Sequence, residues 1–265
     1  MRILVTDGMD KSAIAALQAQ GHEVVEQFYA PEELGAALRD FDVVIVRSKT
    51  KVRANHIDEA KGSNLKLIIR GGVGVDNIDV KYAEENGIKV IVSQSTDIEG
   101  VYTAIRMISA LVGKVDAGEQ VIADMQNTFT AISELCEKSE KTIYFEVMPL
   151  EWGLWTAGSQ TFMHELAHVC GMENAFADLI DWQPISQEQV IERDPDYIVL
   201  VTGMGETAAD EVLSRDGWED MKAVQNKLVF NADSYAMTRP GPRLAQSAID
   251  LYEFLYNTEY MQAAE

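Results

Sequence analysis

The chain lacks the loop that would make it a dinucleotide enzyme. No G-x-G-x-x-G stretch opens a helix after any of its strand-like runs, so no pyrophosphate cradle of that kind is encoded. Cysteine is nearly missing. Cys136 and Cys170 lie in different helical segments, and two thiols in 265 residues make no disulfide framework, so they read as small core or boundary residues. The first seven residues pass directly into a strand without a basic and apolar leader, and no apolar run has membrane-spanning length. As written, the sequence therefore reads as cytoplasmic, without membrane insertion. Positive charge is scarce as well: 22 Lys+Arg stand against 43 Asp+Glu, a net charge of -21. Such a chain repels phosphate backbones, which argues against nucleic acid and makes anionic membrane surfaces poor partners. The deficit is uneven. Residues 1–92 hold 12 basic and 14 acidic side chains, net -2, whereas the remainder holds 10 and 29, net -19.

What is present is an α/β rhythm. Apolar runs at residues 3–6, 23–28, 43–46, 65–69 and 89–92 alternate with helix-type segments, as in a parallel sheet with crossover helices. Asp10 precedes an amphipathic helix (Ile14, Leu17) closed by Gly21, and Ala30-Pro31-Glu32-Glu33 opens the next with proline and acids in its first turn. Right-handed crossovers would give a five-stranded sheet covered on both faces, with functional loops at the carboxyl ends of its strands. Two such loops stand out, Arg47-Ser48-Lys49-Thr50-Lys51 and the glycine-rich segment from Arg70 to Asp79.

The run Val44-Ile45-Val46-Arg47-Ser48-Lys49-Thr50-Lys51-Val52, the segment from Gly71 to Asp79 and Asn86-Gly87-Ile88-Lys89-Val90 resemble the substrate-binding domain of D-3-phosphoglycerate dehydrogenases over residues 1 to about 92. The resemblance implies that Arg47 and Ser48 hold the anionic end of a substrate and that backbone amides near Val73 and Gly74 meet its carboxylate. The chemistry is sound, because a guanidinium and close backbone N–H groups bind oxyanions and glycine permits close approach. That family continues through an Asn-Thr-Pro segment into a complete dinucleotide domain. Here the fifth strand runs into Ser93-Gln94-Ser95-Thr96-Asp97 and no hydride-transfer residues follow. Arg47, Ser48, Val73 and Gly74 are accordingly expected to be a vestigial anion site, without dehydrogenase activity.

From Asp97 to about Lys138 apolar residues recur at helical spacing (Ile98, Val101, Ile105, Ile108, Val112, then Val121, Ile122, Met125, Phe129, Ile132, Leu135). This predicts a helix pair, or one long helix bent near residues 113–118. Beyond it come strand candidates at 142–147, 197–202 and 228–231, a capping box Ser186-Gln187-Glu188-Gln189, and a terminal helix carrying Leu244, Ala248, Leu251 and Leu255. That last helix could cover apolar surface of the first lobe. Ile143-Tyr144-Phe145-Glu146-Val147, Trp155-Thr156-Ala157-Gly158, Gly171-Met172-Glu173-Asn174 and the segment from Arg239 to Arg243 resemble the C-terminal lobe of helical-backbone periplasmic binding proteins. Those are cobalamin, haem and siderophore receptors of ABC importers. The resemblance implies two α/β lobes joined by a long helix, with a large ring molecule bound in the cleft between them. Trp152, Trp155, Trp182 and Tyr235 fall in expected loops and are the cleft candidates. No residue is assigned to docking a transporter.

His164-Glu165-Leu166-Ala167-His168 matches H-E-x-x-H, in which two histidines one turn apart bind zinc and the glutamate activates water. A catalytic zinc needs a third protein ligand. Asn174 stands where the longer motif requires histidine, His22 and His56 belong to the first lobe, and Gly171 reads as a helix cap. His164 and His168 fall opposite the apolar arc of Phe162, Leu166, Val169 and Cys170.

The fold class expected is therefore α/β with two lobes, a five-stranded parallel flavodoxin-like lobe and a second α/β lobe joined by a long helix. The divisions fall at 1–92, 93–138 (connecting helical segment) and 139–265. The leading functional reading is a recombined or engineered two-lobe chimeric scaffold without catalysis or cofactor. The alternative is a cleft-type solute-binding protein for a corrinoid, haem or siderophore, and a zinc hydrolase through His164 and His168 is a minor third.

Overall fold

The computed structural model describes residues 1–260 apart from Val73, Ser93, Gln94 and Val112. Its contacts divide the chain into two compact units, Met1–Gln94 and Ser95–Glu265.

The first unit runs β1 (Arg2–Val5), α1 (Lys11–Ala19), β2 (Glu23–Glu26), α2 (Pro31–Leu38), β3 (Val43–Val46), α3 (Ala54–Ala60), β4 (Leu67–Arg70), α4 (Val80–Glu85) and β5 (Lys89–Val92). All five strands are parallel, in the order β2-β1-β3-β4-β5. The period-two geometry of a strand sorts its side chains between two cores. Leu4, Val44, Val46 and Ile68 face Leu34, Leu38, Ile57 and Ala83 from α2, α3 and α4. Ile3, Val5 and Val43 turn the other way, toward Leu17 of α1, and on that face Ile45, Leu67 and Ile69 stay half-buried. Pro31 sits in the first turn of α2 followed by Glu32 and Glu33, as the sequence predicts.

The second unit contains α5 (Ile98–Leu111), α6 (Val115–Leu135), β6 (Thr142–Glu146), a 3-10 turn (Leu150–Trp152), β7 (Trp155–Ala157), α7 (Phe162–Val169), β8 (Glu173–Asn174), β9 (Trp182–Pro184), α8 (Gln187–Arg193), β10 (Tyr197–Leu200), α9 (Ala208–Leu213), α10 (Lys222–Gln225), β11 (Val229–Asn231), α11 (Ser234–Met237) and α12 (Leu244–Tyr256). Four parallel strands lie in the order β11-β10-β6-β8, beside a two-stranded antiparallel ribbon of β7 and β9. The same alternation builds two cores here. Ile143, Phe145, Tyr197 and Val199 pack with α6, α7 and α12, while Tyr144, Ile198 and Leu200 pack with Phe176, Val190, Val212 and Trp218.

The segment after β5 is a helix pair rather than one bent helix. Gly113 takes a positive φ of 67°, which ends α5, and the chain restarts at α6 with Gly118 so close to Ser109 that a Cβ would collide with that side chain. An ion pair of Arg106 with Glu119 at 3.0 Å also links the two helices. On α12, Leu244, Ala248, Leu251, Tyr252 and Leu255 are buried in the second unit's own core, and the Tyr256 hydroxyl donates to the Cys170 carbonyl at 3.0 Å. Its apolar stripe packs on α6 and, through Phe254 and Tyr197, on β10.

Candidate functional site

At the carboxyl ends of the first sheet a polar bracket fixes the loops that the sequence singled out. The Asp7 carboxylate, just after β1, accepts from the Arg47 amide (2.7 Å), the Thr50 amide (3.0 Å) and the Thr50 hydroxyl (2.5 Å). Burial raises the Asp7 pKa, but these donors outweigh it and hold the carboxyl below its usual range. Buried Asn77 donates to the Arg47 carbonyl (2.7 Å) and the Thr50 carbonyl (2.8 Å) and accepts from Arg70 Nε (3.0 Å). The side chains of Arg47 and Ser48 are exposed on this bracket, Gly74 has a φ of 80°, and Val73 lies outside the described residues. Asp7, Arg70 and Asn77 were missed from the sequence. Their signal was a buried arginine at the end of an apolar strand, which requires acceptors.

In the second unit the corresponding edge carries exposed aromatics. Trp152 on the 3-10 turn is 67% exposed and Tyr235 on α11 is 59% exposed, with the Arg239 guanidinium 4.3 Å above the tyrosine ring. Met204, in the loop after β10, is exposed too. That loop touches its neighbours on both sides: the Asn231 side chain donates to the Gly205 carbonyl at 2.7 Å, and Met204, Thr202, Leu150 and Glu151 line a cavity of about 220 Å³. Trp155 and Trp182 were expected in loops. They lie instead in β7 and β9, and Trp182 is half-buried with its ring edge-on to Phe162 at 5.7 Å. Trp152 and Tyr235 thus stay exposed while Trp182 fixes the ribbon to the core.

Under this edge lies a buried ionic cluster. Arg215 meets Glu146 through two hydrogen bonds (2.9 and 3.2 Å) and Glu211 through two more (3.1 and 2.6 Å), and its guanidinium stacks 4.2 Å from Trp218. Glu146 and Arg215 are almost fully buried, whereas the Glu211 side chain is about half exposed. Burial pushes the Glu146 carboxyl above its ordinary pKa despite the arginine.

On α7, His164 Nε2 and His168 Nε2 are 3.1 Å apart. Thr161 caps the helix, its hydroxyl accepting from the His164 amide at 3.2 Å, and Gly171 ends it with a φ of 71°. The zinc-hydrolase geometry is not assembled. Glu165 accepts from the Ile98 amide at 2.5 Å, where it caps α5, and no group of three or more metal-ligating side chains occurs among the described residues.

Comparison with known proteins fits this arrangement. A family model described as periplasmic binding protein matches residues 76–236. The chain belongs to the periplasmic binding protein family. An uncharacterised ABC transporter substrate-binding lipoprotein of Bacillus subtilis is 31% identical over 182 residues, 67% of this chain and 57% of that protein. Among solved structures, a periplasmic heme-binding protein of Vibrio cholerae aligns with a TM-score of 0.66 at 21% identity, covering 97% of this chain and 99% of that one. A vitamin B12 binding protein of the same organism gives 0.63 at 15% identity, covering 97% and 96%. These likenesses show the two-lobe α/β fold of the family. A second model, the catalytic domain of D-isomer specific 2-hydroxyacid dehydrogenases, matches residues 3–101. Hydroxypyruvate reductase of Thermotoga maritima is 44% identical over 91 residues, and D-3-phosphoglycerate dehydrogenase of Methanocaldococcus jannaschii 46% over 91. Each match covers 34% of this chain, and respectively 29% and 17% of those enzymes. The two family models overlap at 76–101, a stretch that contains α4 and β5. No helix among the described residues is long and apolar enough to cross a membrane.

Proposed function

We propose that the chain is the solute-binding component of an ABC-type importer, working outside the cytoplasmic membrane and without catalysis of its own. Its second lobe offers Trp152, Met204 and Tyr235 to a large, flat ligand of the haem, corrinoid or siderophore kind. The observation that carries this reading is the position of the exposed aromatics: within a family with solved members that bind such molecules, they stand on the 3-10 turn after β6 and on α11 after β11, beyond the carboxyl ends of the second sheet's strands. Binding to the folded chain alone stabilises it by mass action, so a thermal-shift panel of hemin, cyanocobalamin and a ferric hydroxamate is decisive. A rise with one ligand that Trp152→Ala and Tyr235→Ala diminish is the expected result.

One observation favours a second reading, a recombined two-lobe scaffold with no ligand. The first 91 or so residues are more like dehydrogenases, at 44 to 46% identity, than the rest is like the lipoprotein, at 31%. Under that reading Arg47, Ser48 and Gly74 are remnants of an anion site and no member of the panel shifts the midpoint. Neither reading includes hydride transfer, because the sequence holds no dinucleotide loop, and a titration with NAD should show no saturable binding.

A further inference from the structure

The histidine pair of α7 plays no part in the solute site proposed above, and its two rings are in direct contact. The two Nε2 atoms are 3.1 Å apart and the rings are perpendicular. The ring centroids are 4.4 Å apart, less than the nitrogen separation plus two ring radii. The two rings therefore do not meet end-on, and their nitrogens stand at hydrogen-bond distance, with the donor set by the tautomers. At metal–nitrogen distances of about 2.0–2.1 Å, nitrogens 3.1 Å apart subtend roughly 95–100° at an ion, between octahedral and tetrahedral angles. We infer that His164 and His168 form a preorganised two-histidine chelate for a borderline divalent transition-metal ion, with solvent completing its coordination shell.

Further features support it. His168 Nδ1 lies 3.9 Å from the Glu173 carboxylate, beyond hydrogen-bond distance but near enough for that charge to attract a cation held by the ring. The helix itself is held by the Thr161 cap and by Phe162, Met163, Leu166 and Ala167, all buried, so the one-turn spacing costs little to maintain on binding. Residues 93–265 also carry a net charge of -19, which draws cations to this unit. Imidazole donors select Cu²⁺, Ni²⁺ and Zn²⁺ over Mg²⁺ and Ca²⁺. With only two protein ligands the site is one of attachment and not of catalysis.

The test is calorimetric titration of the tag-free chain with Zn²⁺ in excess Mg²⁺, which occupies surface carboxylates, together with Cu²⁺ electron paramagnetic resonance. One saturable Zn²⁺ site is expected, weakened at least tenfold in His168→Gln, and the Cu²⁺ spectrum should change from two coordinated imidazole nitrogens to one. His168 is exposed, so this variant keeps its fold, which far-UV circular dichroism verifies. His22→Gln serves as a control and should bind like the parent chain. No saturable Zn²⁺ binding, or equal affinity in the parent and His168→Gln, would overturn the inference.

Discussion

Replacing Arg215 with alanine should be among the most damaging single substitutions in the second unit. The guanidinium is almost fully buried and supplies four hydrogen bonds to two carboxylates. Without it, Glu146, which is 1% exposed, is left as a buried charge whose remaining side-chain partner is the Tyr144 hydroxyl at 3.4 Å. Breaking a buried pair from one side costs about 3–5 kcal/mol, and losing the stacking on Trp218 adds about 1 kcal/mol. For a unit of this size that lowers the melting midpoint by roughly 10 °C. Glu211→Ala should cost only about 1 kcal/mol or less, since that side chain is half exposed and its absence still leaves Glu146 paired. The pH dependence is a second signature. Burial already raises the Glu146 pKa, and without its cation the carboxyl rises further; a raised acid destabilises as pH climbs above its unfolded value near 4.5. The deficit of Arg215→Ala should therefore shrink as pH falls from 7 toward 5, and Glu146→Gln with Arg215→Met should recover much of it. Urea unfolding followed by tryptophan fluorescence isolates this unit, because Trp152, Trp155, Trp182 and Trp218 all lie in it. A loss under about 1 kcal/mol for Arg215→Ala, or equal losses for Arg215→Ala and Glu211→Ala, would refute the reasoning.

Gly171→Ala should cost about 2 kcal/mol or more in the same assay, since φ is 71° and a Cβ would lie 2.6 Å from the Glu137 carbonyl oxygen; a neutral result would mean the cap is not needed. Asp7→Asn should destabilise the first unit by about 1–2 kcal/mol at pH 7 by weakening the bracket under Arg47 and Thr50. The Asp7 carboxyl is held below its unfolded value of 3.8, so its contribution is complete above that value and disappears as pH falls through the lower folded one. The gap between parent and variant in far-UV circular dichroism melts should close below pH 3.8, and a gap that persists would point to lost packing instead. Trp182→Ala should cost about 3 kcal/mol through its contact with Phe162, whereas Trp152→Ala should stay within about 0.5 kcal/mol; equal losses would contradict their different exposure.

The first unit could be read almost strand for strand because its runs are apolar, four to six residues long and punctuated by Gly21, Pro31 and Gly87. Val43–Val46 and Lys89–Val92 fall where the apolar pattern puts them. The second unit was readable only in its two central strands, the edge strand β11 and the helices α5 to α8 and α12. β7 and β9 are three residues each, hold Thr156, Gln183 and Pro184, and show no period, so Trp155 and Trp182 passed for loop residues. The Glu146–Arg215 pair joins positions 69 apart, and only the odd acid at the end of Ile143-Tyr144-Phe145 hinted at it. Helix α12 could be recognised as a helix, but a sequence pattern states that a face is apolar and not which core receives it.

The most direct test of the account is the midpoint of tryptophan-monitored unfolding with and without saturating hemin, cyanocobalamin or ferric hydroxamate, in the parent chain and in Trp152→Ala/Tyr235→Ala. A solute-binding protein gains about 2.7 kcal/mol at a hundredfold excess over Kd with its own ligand, and the double variant loses most of that gain. Unchanged midpoints for all three ligands in the parent chain would contradict the receptor reading and leave the recombined scaffold in its place.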